Sequence, residues 1–360
     1  MGVRGRLAAA ALGGGAAAAA YRQLTRTPPG GAERWTRVNH RGEKVTLLEG
    51  PAMALAGGVA AATIPNLPRR LRTAGALAAL GAGALGAYDD LAGSGASRGL
   101  KGHLGALAKG EVTTGAVKVL GIGVAGLAAG ALVQRRPLDK LLAGVVIAAS
   151  ANVLNLFDLR PGRAIKVGLI SGMPAVVRSG AAGGLTTGAL GASAALLPDD
   201  LRERSMLGDA GANALGAVLG VAAAASSRRA GLLVRAAALI GLTLASEKVS
   251  FTKVIAATPA LNALDMLGRR PAPTQPPATK PGDPADSPTP RPDGSPAEQE
   301  TAKTPGTSGP PTASHGGPPA QPTTSPARRS RSTTTTRATA ASRSTAPKRR
   351  TASDERSGGN

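Results

Sequence analysis

The chain has 360 residues, a formal net charge of +22 and no cysteine. The missing cysteine excludes disulfide frameworks and cysteine-based metal sites, and leaves the compartment open. A mean hydropathy of zero averages two unlike regions, so hydropathy is read by segment.

In chain order, apolar runs fall at roughly 5–21, 51–65, 71–88, 112–133, 138–157, 166–178, 180–197, 211–226 and 230–246. Several are shorter than the ~20 residues that span a bilayer. Many are mostly Ala and Gly, which add little to insertion, and the runs near 51–65 and 166–178 are the weakest. The Leu-rich "KLLAGVVIAASANVLNLF" is the clearest. Small residues on contact faces let membrane helices pack closely. The expected fold is therefore all-α: a polytopic membrane helical bundle of about nine transmembrane helices over residues 1–270. A soluble Ala-rich bundle is disfavoured because these segments show no regular polar face. The first run, with Arg4 and Arg6 before its apolar stretch, also fits a signal peptide. A retained first helix is preferred, because further spans follow.

From Pro271 to Asn360 hardly an aliphatic residue is larger than Ala. Such a Pro/Thr/Ser-rich segment cannot bury enough apolar surface to offset its ordering entropy, so 271–360 is expected to be a disordered tail. Its last third is basic, but no aromatic residue interleaves the charges, which disfavours nucleic acid as a partner.

Nine crossings put the N-terminus outside and the tail inside, in a cell membrane, with the Asp-bearing loops on the cytoplasmic face. The basic tail and the loop Arg22–Lys44 agree with an excess of positive charge inside. Arg69, Arg70, Arg135, Arg136, Arg228 and Arg229 fall on the opposite face and run against it.

Four polar stretches interrupt the apolar pattern. "GAYDDLAGSGASRGLKG" sets Asp89 and Asp90 at the end of one apolar run, with Arg98 and Lys101 just beyond. A bare carboxylate pair at a membrane edge is costly, so it needs an occupant. "ANVLNLFDLRPGRAIK" ends another run with Asn152, Asn155 and Asp158 along one helix face. "DDLRERSMLGDAGANALG" places Asp209 at the start of a run, as a candidate N-cap whose helix N-terminus offers N–H groups to a phosphate. Gly211 beside it allows close backbone approach. Adjacent acids such as Asp199 and Asp200 read as solvated loop charges. "VNHRGEKVTLLEG" adds His40, Arg41 and Lys44 to an earlier loop. Carboxylates, amides and cations on one membrane face suit Mg²⁺ and phosphate chemistry, since magnesium takes one or two carboxylates with phosphates and water. Arg and Lys neutralise the remaining phosphate charge.

In their order, "GAYDD", "NVLNLFD" and "MLGDAGANALGAVLG" resemble motifs of the polyprenyl-phosphate N-acetylhexosamine-1-phosphate transferases. That superfamily includes phospho-N-acetylmuramoyl-pentapeptide transferase and the undecaprenyl-phosphate GlcNAc-1-phosphate transferases. The resemblance covers about residues 35–250. It implies Mg²⁺-dependent transfer of a sugar 1-phosphate from a UDP-sugar to undecaprenyl phosphate or a similar lipid carrier, with release of UMP. That chemistry belongs to cell-wall or surface-glycan synthesis. It further implies that Asp209 binds the metal, and that Asp89, Asp90 and Asp158 are catalytic. Asp89 or Asp90 would position the metal or the lipid phosphate, and Asp158 would deprotonate or orient that phosphate. Lys44, Arg98, Lys101, Asn155, Gly211 and Asn213 are the expected substrate contacts. Expected partners are the UDP-sugar, the lipid carrier, membrane lipids and a second copy of the chain. Three departures stand beside the likeness: Pro161 replaces the second Asp of the family's "NxxNLxDGxDGLA", Ala212 replaces the Ser of "GDxGS", and the late His-rich loop is missing. The departures favour an alternative, a catalytically degenerate relative that binds lipid carrier or scaffolds envelope assembly. A transporter-like protein is disfavoured, because no internal repeat is evident.

Overall fold

The computed structural model describes residues 2–93, 102, 105, 109–110, 112–177 and 180–271. Arg98, Lys101 and the tail from residue 272 lie outside the described residues. Among the described residues the chain is mostly helical, with eleven helices. They are α1 (Val3–Arg26), α2 (Glu49–Thr63), α3 (Arg69–Ala92), α4 (Thr114–Val133), α5 (Pro137–Phe157), α6 (Arg163–Val177), α7 (Ala181–Leu201), α8 (Gly208–Ala225), α9 (Arg229–Ser246), α10 (Phe251–Ala257) and α11 (Pro259–Met266).

Each of the nine apolar runs falls on one of α1–α9. Four of these helices, α4, α5, α8 and α9, are long and apolar enough to cross a membrane. The expectation of about nine spans is not carried by length and composition. α2 and α6 have only 15 residues each, ~22 Å at the helical rise, against a hydrocarbon core of ~30 Å. α1, α3 and α7 are longer, but their Ala and Gly make them weakly apolar. The outward faces of the bundle are nonetheless greasy. Leu120 and Val124 on α4 are 64% and 67% exposed, and Val234 on α9 is 68% exposed. A soluble protein rarely leaves such side chains together in water.

α8 is the axis. Its residues are buried almost throughout, and α2, α3 and α5 pack along it. It has no polar face, as expected of a helix enclosed on all sides. Small side chains set the spacing. On the far side α1 lies against α7, and a Cβ added to Gly13 would stand 1.9 Å from the Gly188 carbonyl oxygen. Only glycine permits that crossing.

The fold departs from all-α in one place. Strands β1 (Thr36–Val38) and β2 (Lys44–Thr46) form an antiparallel hairpin, with Arg37 opposite Val45. Its turn is built by Asn39, whose Oδ1 accepts from the N–H groups of Arg41 and Glu43 at 2.9 Å each. Gly42 takes φ +80° there, a conformation that costs glycine little. The hairpin docks on the segment between α7 and α8: Met206 N–H donates to the Thr46 carbonyl at 2.9 Å. Trp35, Leu47 and Leu48 form a small apolar cluster beneath it.

Candidate functional site

The acids meet at one end of the bundle, where α3, α5 and α7 finish and α4 and α8 begin. Asp89 and Asp90 occupy the last turn of α3, which passes close to the start of α8. A Cβ added to Gly86 would stand 2.3 Å from the Asp209 carbonyl oxygen, so this glycine of "GAYDD" brings the two backbones together.

Asp90 caps α8 from outside. Its Oδ1 accepts from Asp209 N–H at 3.0 Å and its Oδ2 from Ala210 N–H at 2.9 Å. Gly208 enters the helix at φ +60°, and a Cβ there would lie 3.0 Å from Asp90 Oδ2. Asp209 is therefore not the N-cap of α8, as the sequence suggests; it lies in the first turn. The expected phosphate cradle at this helix N-terminus is also displaced. Asp90 uses two of the first N–H donors, and Gly208 N–H is directed at Asp158. With both oxygens held by backbone donors, Asp90 positions α8 rather than facing a reacting group. Arg37 of β1 donates to the Asp90 carbonyl at 2.5 Å, tying the hairpin to the same corner.

Freed from capping, the Asp209 carboxylate faces Lys118 of α4, which also bonds Asp89 at 2.7 Å. A lone lysine in a highly apolar run, "TGAVKVLGIG", is expensive unless it is paired. That isolation is the signal by which Lys118, missing from the sequence-based set, stands out.

Asp158 follows α5 and lines a cavity of about 330 Å³ with Asp200, Glu203, His40, Asn39 and Pro161. Burial pushes the Asp158 carboxyl well above the usual carboxylate range, and the nearby Asp200, Asp209 and Asp90 push it further. Asp200 is not the solvated loop charge that its neighbour Asp199 suggests. It ends α7 at 2% exposure, and its Oδ2 has no hydrogen-bond partner. A helix end that turns inward hides one acid of the pair and leaves Asp199 outside, bonded to Arg204 at 2.7 Å. Glu49, buried at the start of α2, accepts from Ser205 Oγ at 2.5 Å, while its Oε1 is also unpartnered. Buried carboxylate oxygens without donors carry a large desolvation cost.

The remaining expected contacts spread out. Lys44 is exposed on β2 and does not line the cavity. Asn155 is half-buried, and its carbonyl accepts from Asp158 N–H at 3.0 Å. Gly211 is buried against Gly50 of α2, where a Cβ would lie 2.9 Å from the Gly50 Cα. Asn213 is buried and donates to the Asp209 carbonyl at 2.7 Å. Gly211 and Asn213 thus take part in the packing of α8, which is enclosed by its neighbours.

A second set of charges closes this end. Arg163, 4% exposed, makes two bonds to Asp265 of α11, at 2.7 and 2.9 Å. Arg269 adds a third at 3.0 Å. Burial raises the Asp265 carboxyl, but Arg163 and Arg269 outweigh it and hold the group below its ordinary value. Arg41 bonds Glu203 at 3.0 Å and donates to the Arg270 and Pro271 carbonyls.

Among the described residues no group of three or more His, Cys, Asp or Glu is arranged to hold a metal ion. Magnesium does not require one, since it takes one or two carboxylates together with phosphate oxygens and water. Asp89 and Asp209 converge on one ammonium group, so two hard oxygen donors already face a single cation, and the donor set fits Mg²⁺ with a diphosphate. No known family model and no curated protein matches this chain.

Proposed function

We propose that this chain is a polytopic membrane transferase that moves a sugar 1-phosphate from a UDP-sugar to a polyprenyl phosphate in the cell membrane, serving cell-wall or surface-glycan synthesis. The observation that supports it is the meeting of Asp89, Asp209 and Lys118 at helix ends, where a lipid phosphate reaches water. On this reading α1–α9 all cross the membrane, and the acid end and the tail face the cytoplasm. A reporter fused after Arg270 then reads on the cytoplasmic side.

The reaction joins two anions. A lipid phosphate oxygen attacks the β-phosphorus of the UDP-sugar, the bond from that phosphorus to the UMP oxygen breaks, and UMP leaves with the negative charge. Lys118 offsets charge on the diphosphate, and Asp209 with Asp89 would hold Mg²⁺. The metal, when bound, neutralises phosphate charge that would otherwise repel the nucleophile. Asp158, in the cavity wall at the end of α5, takes the proton of the lipid phosphate as general base. Asp200 lines the same cavity as Asp158 and Pro161 and adds a buried carboxylate there.

A second reading is favoured by one detail: Lys118 already fills the space between Asp89 and Asp209. A degenerate relative would bind the lipid carrier there without turnover. The deciding assay is incorporation of labelled sugar phosphate into lipid, over several UDP-sugars. Active enzyme gives Mg²⁺-dependent incorporation that Asp209→Asn lowers about 100-fold, a barrier change of about 2.7 kcal/mol. Turnover that survives Asp209→Asn removes the metal assignment. Lipid-phosphate binding by folded protein with no turnover selects the second reading.

A further inference from the structure

A cavity of about 1090 Å³ lies at the opposite end of the bundle from the acids. It is lined where α3, α7 and α9 begin and where α4 and α8 finish. Arg70 lines it, 20 residues before Asp90 on α3, a separation of ~30 Å at the helical rise. That is the thickness of a bilayer's hydrocarbon core.

Three arginines, Arg70, Arg135 and Arg235, line this cavity, and no carboxylate does among the described residues. The side chains of Arg70 and Arg135 are exposed and make no ion pair or hydrogen bond to described residues. Arg235 Nε donates to Ser227 Oγ at 3.1 Å, leaving its terminal nitrogens open. By contrast Arg229, at the same end, bonds Asp139 at 2.6 Å, and Arg163 and Arg41 at the acid end are paired. The rest of the wall is largely apolar, with Leu71, Leu132 and Leu219. Uncompensated guanidinium groups favour phosphate, and the apolar wall favours something that is not only phosphate. The volume far exceeds a phosphate ion, whose share would be similar to that of a few waters.

We propose that this cavity is a binding site for the phosphate-bearing headgroup and upper acyl chains of an anionic phospholipid, in the leaflet opposite the acid site. Phosphate bonds to the three arginines, and the acyl chains lie against the leucines. The site also accounts for basic residues on a face where topology rules disfavour them: a lipid ligand holds them there. It rests on the membrane placement of the helices and not on the transferase chemistry.

The test uses the full chain, purified in detergent and titrated with phosphatidylglycerol or phosphatidylcholine. Bound lipid is counted by native mass spectrometry. Phosphatidylglycerol is retained in preference to phosphatidylcholine, and R70Q, R135Q and R235Q each weaken that retention about fivefold. The comparison variant R136Q/R228Q removes two charges from the same end without touching the cavity wall, and it keeps the preference. Ser171→Trp fills the cavity from an exposed position and lowers retention with no charge change. Equal loss in R136Q/R228Q and in the cavity variants overturns the site in favour of diffuse surface charge. Equal retention of the two lipids overturns it as well. Displacement by millimolar inorganic phosphate assigns the arginines to a free anion instead. Sugar-phosphate transfer is measured in parallel, so a failed lipid site and a failed transferase reading give different results.

Discussion

The two ends of the bundle spend their charges differently. At the acid end most of the charges are locked to one another or to backbone: Lys118 between Asp89 and Asp209, Asp90 on the start of α8, and Arg163 on Asp265, with Asp200 Oδ2 and Glu49 Oε1 as buried exceptions. At the other end, Arg70, Arg135 and Arg235 stand around a large cavity with no carboxylate in its wall. Charges that close on each other hold helices in place. Charges left open are inexpensive only where water or a ligand reaches them. One end is therefore both scaffold and candidate chemistry, whereas the three cavity arginines of the other make no ion pair with described residues that holds helices together.

The sharpest way to break that contrast is Lys118→Met. It strands Asp89 and Asp209 without their cation and destabilises the protein by about 3–5 kcal/mol, read as a lower midpoint in denaturant. Adding Asp89→Asn recovers part of the loss, because one stranded charge is removed. If Lys118→Met is neutral, the acid end is not an interlocked structure.

A smaller effect is expected at Asp265, where the sign with pH is set by direction. The folded carboxyl sits below its ordinary value, so its contribution is complete above the unfolded pKa of about 3.9 and disappears as pH falls through the lower folded value. Denaturation midpoints between pH 6 and pH 2 show that acid loss in the parent chain. Asp265→Asn starts less stable and shows a shallower loss. Identical pH slopes for the two proteins would show that the Arg163 pair contributes nothing to folding.

The smallest effect belongs to the arginine end. R70Q, R135Q and R235Q each shift stability by no more than about 0.5 kcal/mol, as exposed unpaired charges do. A loss as large as that of Lys118→Met would mean that these arginines hold helices together, and the contrast between the ends would disappear.

Much of the helical frame was legible because apolar runs are local features. All nine runs are helical, and the clearest, at 138–157, is α5. The hairpin was hidden because each strand is only three residues long, too short for an alternating pattern to show. Of the candidate site, the acidic stretches were visible as charges interrupting apolar runs, yet their roles were not. Asp209 precedes a helix and so reads as its cap; the true capping carboxylate, Asp90, comes from another helix 119 residues away in sequence. Asp199 and Asp200 look alike, and the inward turn of α7 separates a buried acid from a solvated one.

What the sequence by itself determined is the set of local choices: which segments are helical, which of them are apolar enough for lipid, and where carboxylates interrupt them. Those follow from composition and period over a few turns. Which oxygen faces Lys118, which acid is hidden and which arginines are left open were decided only by the tertiary structure. The reason is physical: hydrogen bonds and desolvation act over a few ångströms, and the glycine contacts of α3 with α8 bring together groups more than a hundred residues apart in the chain.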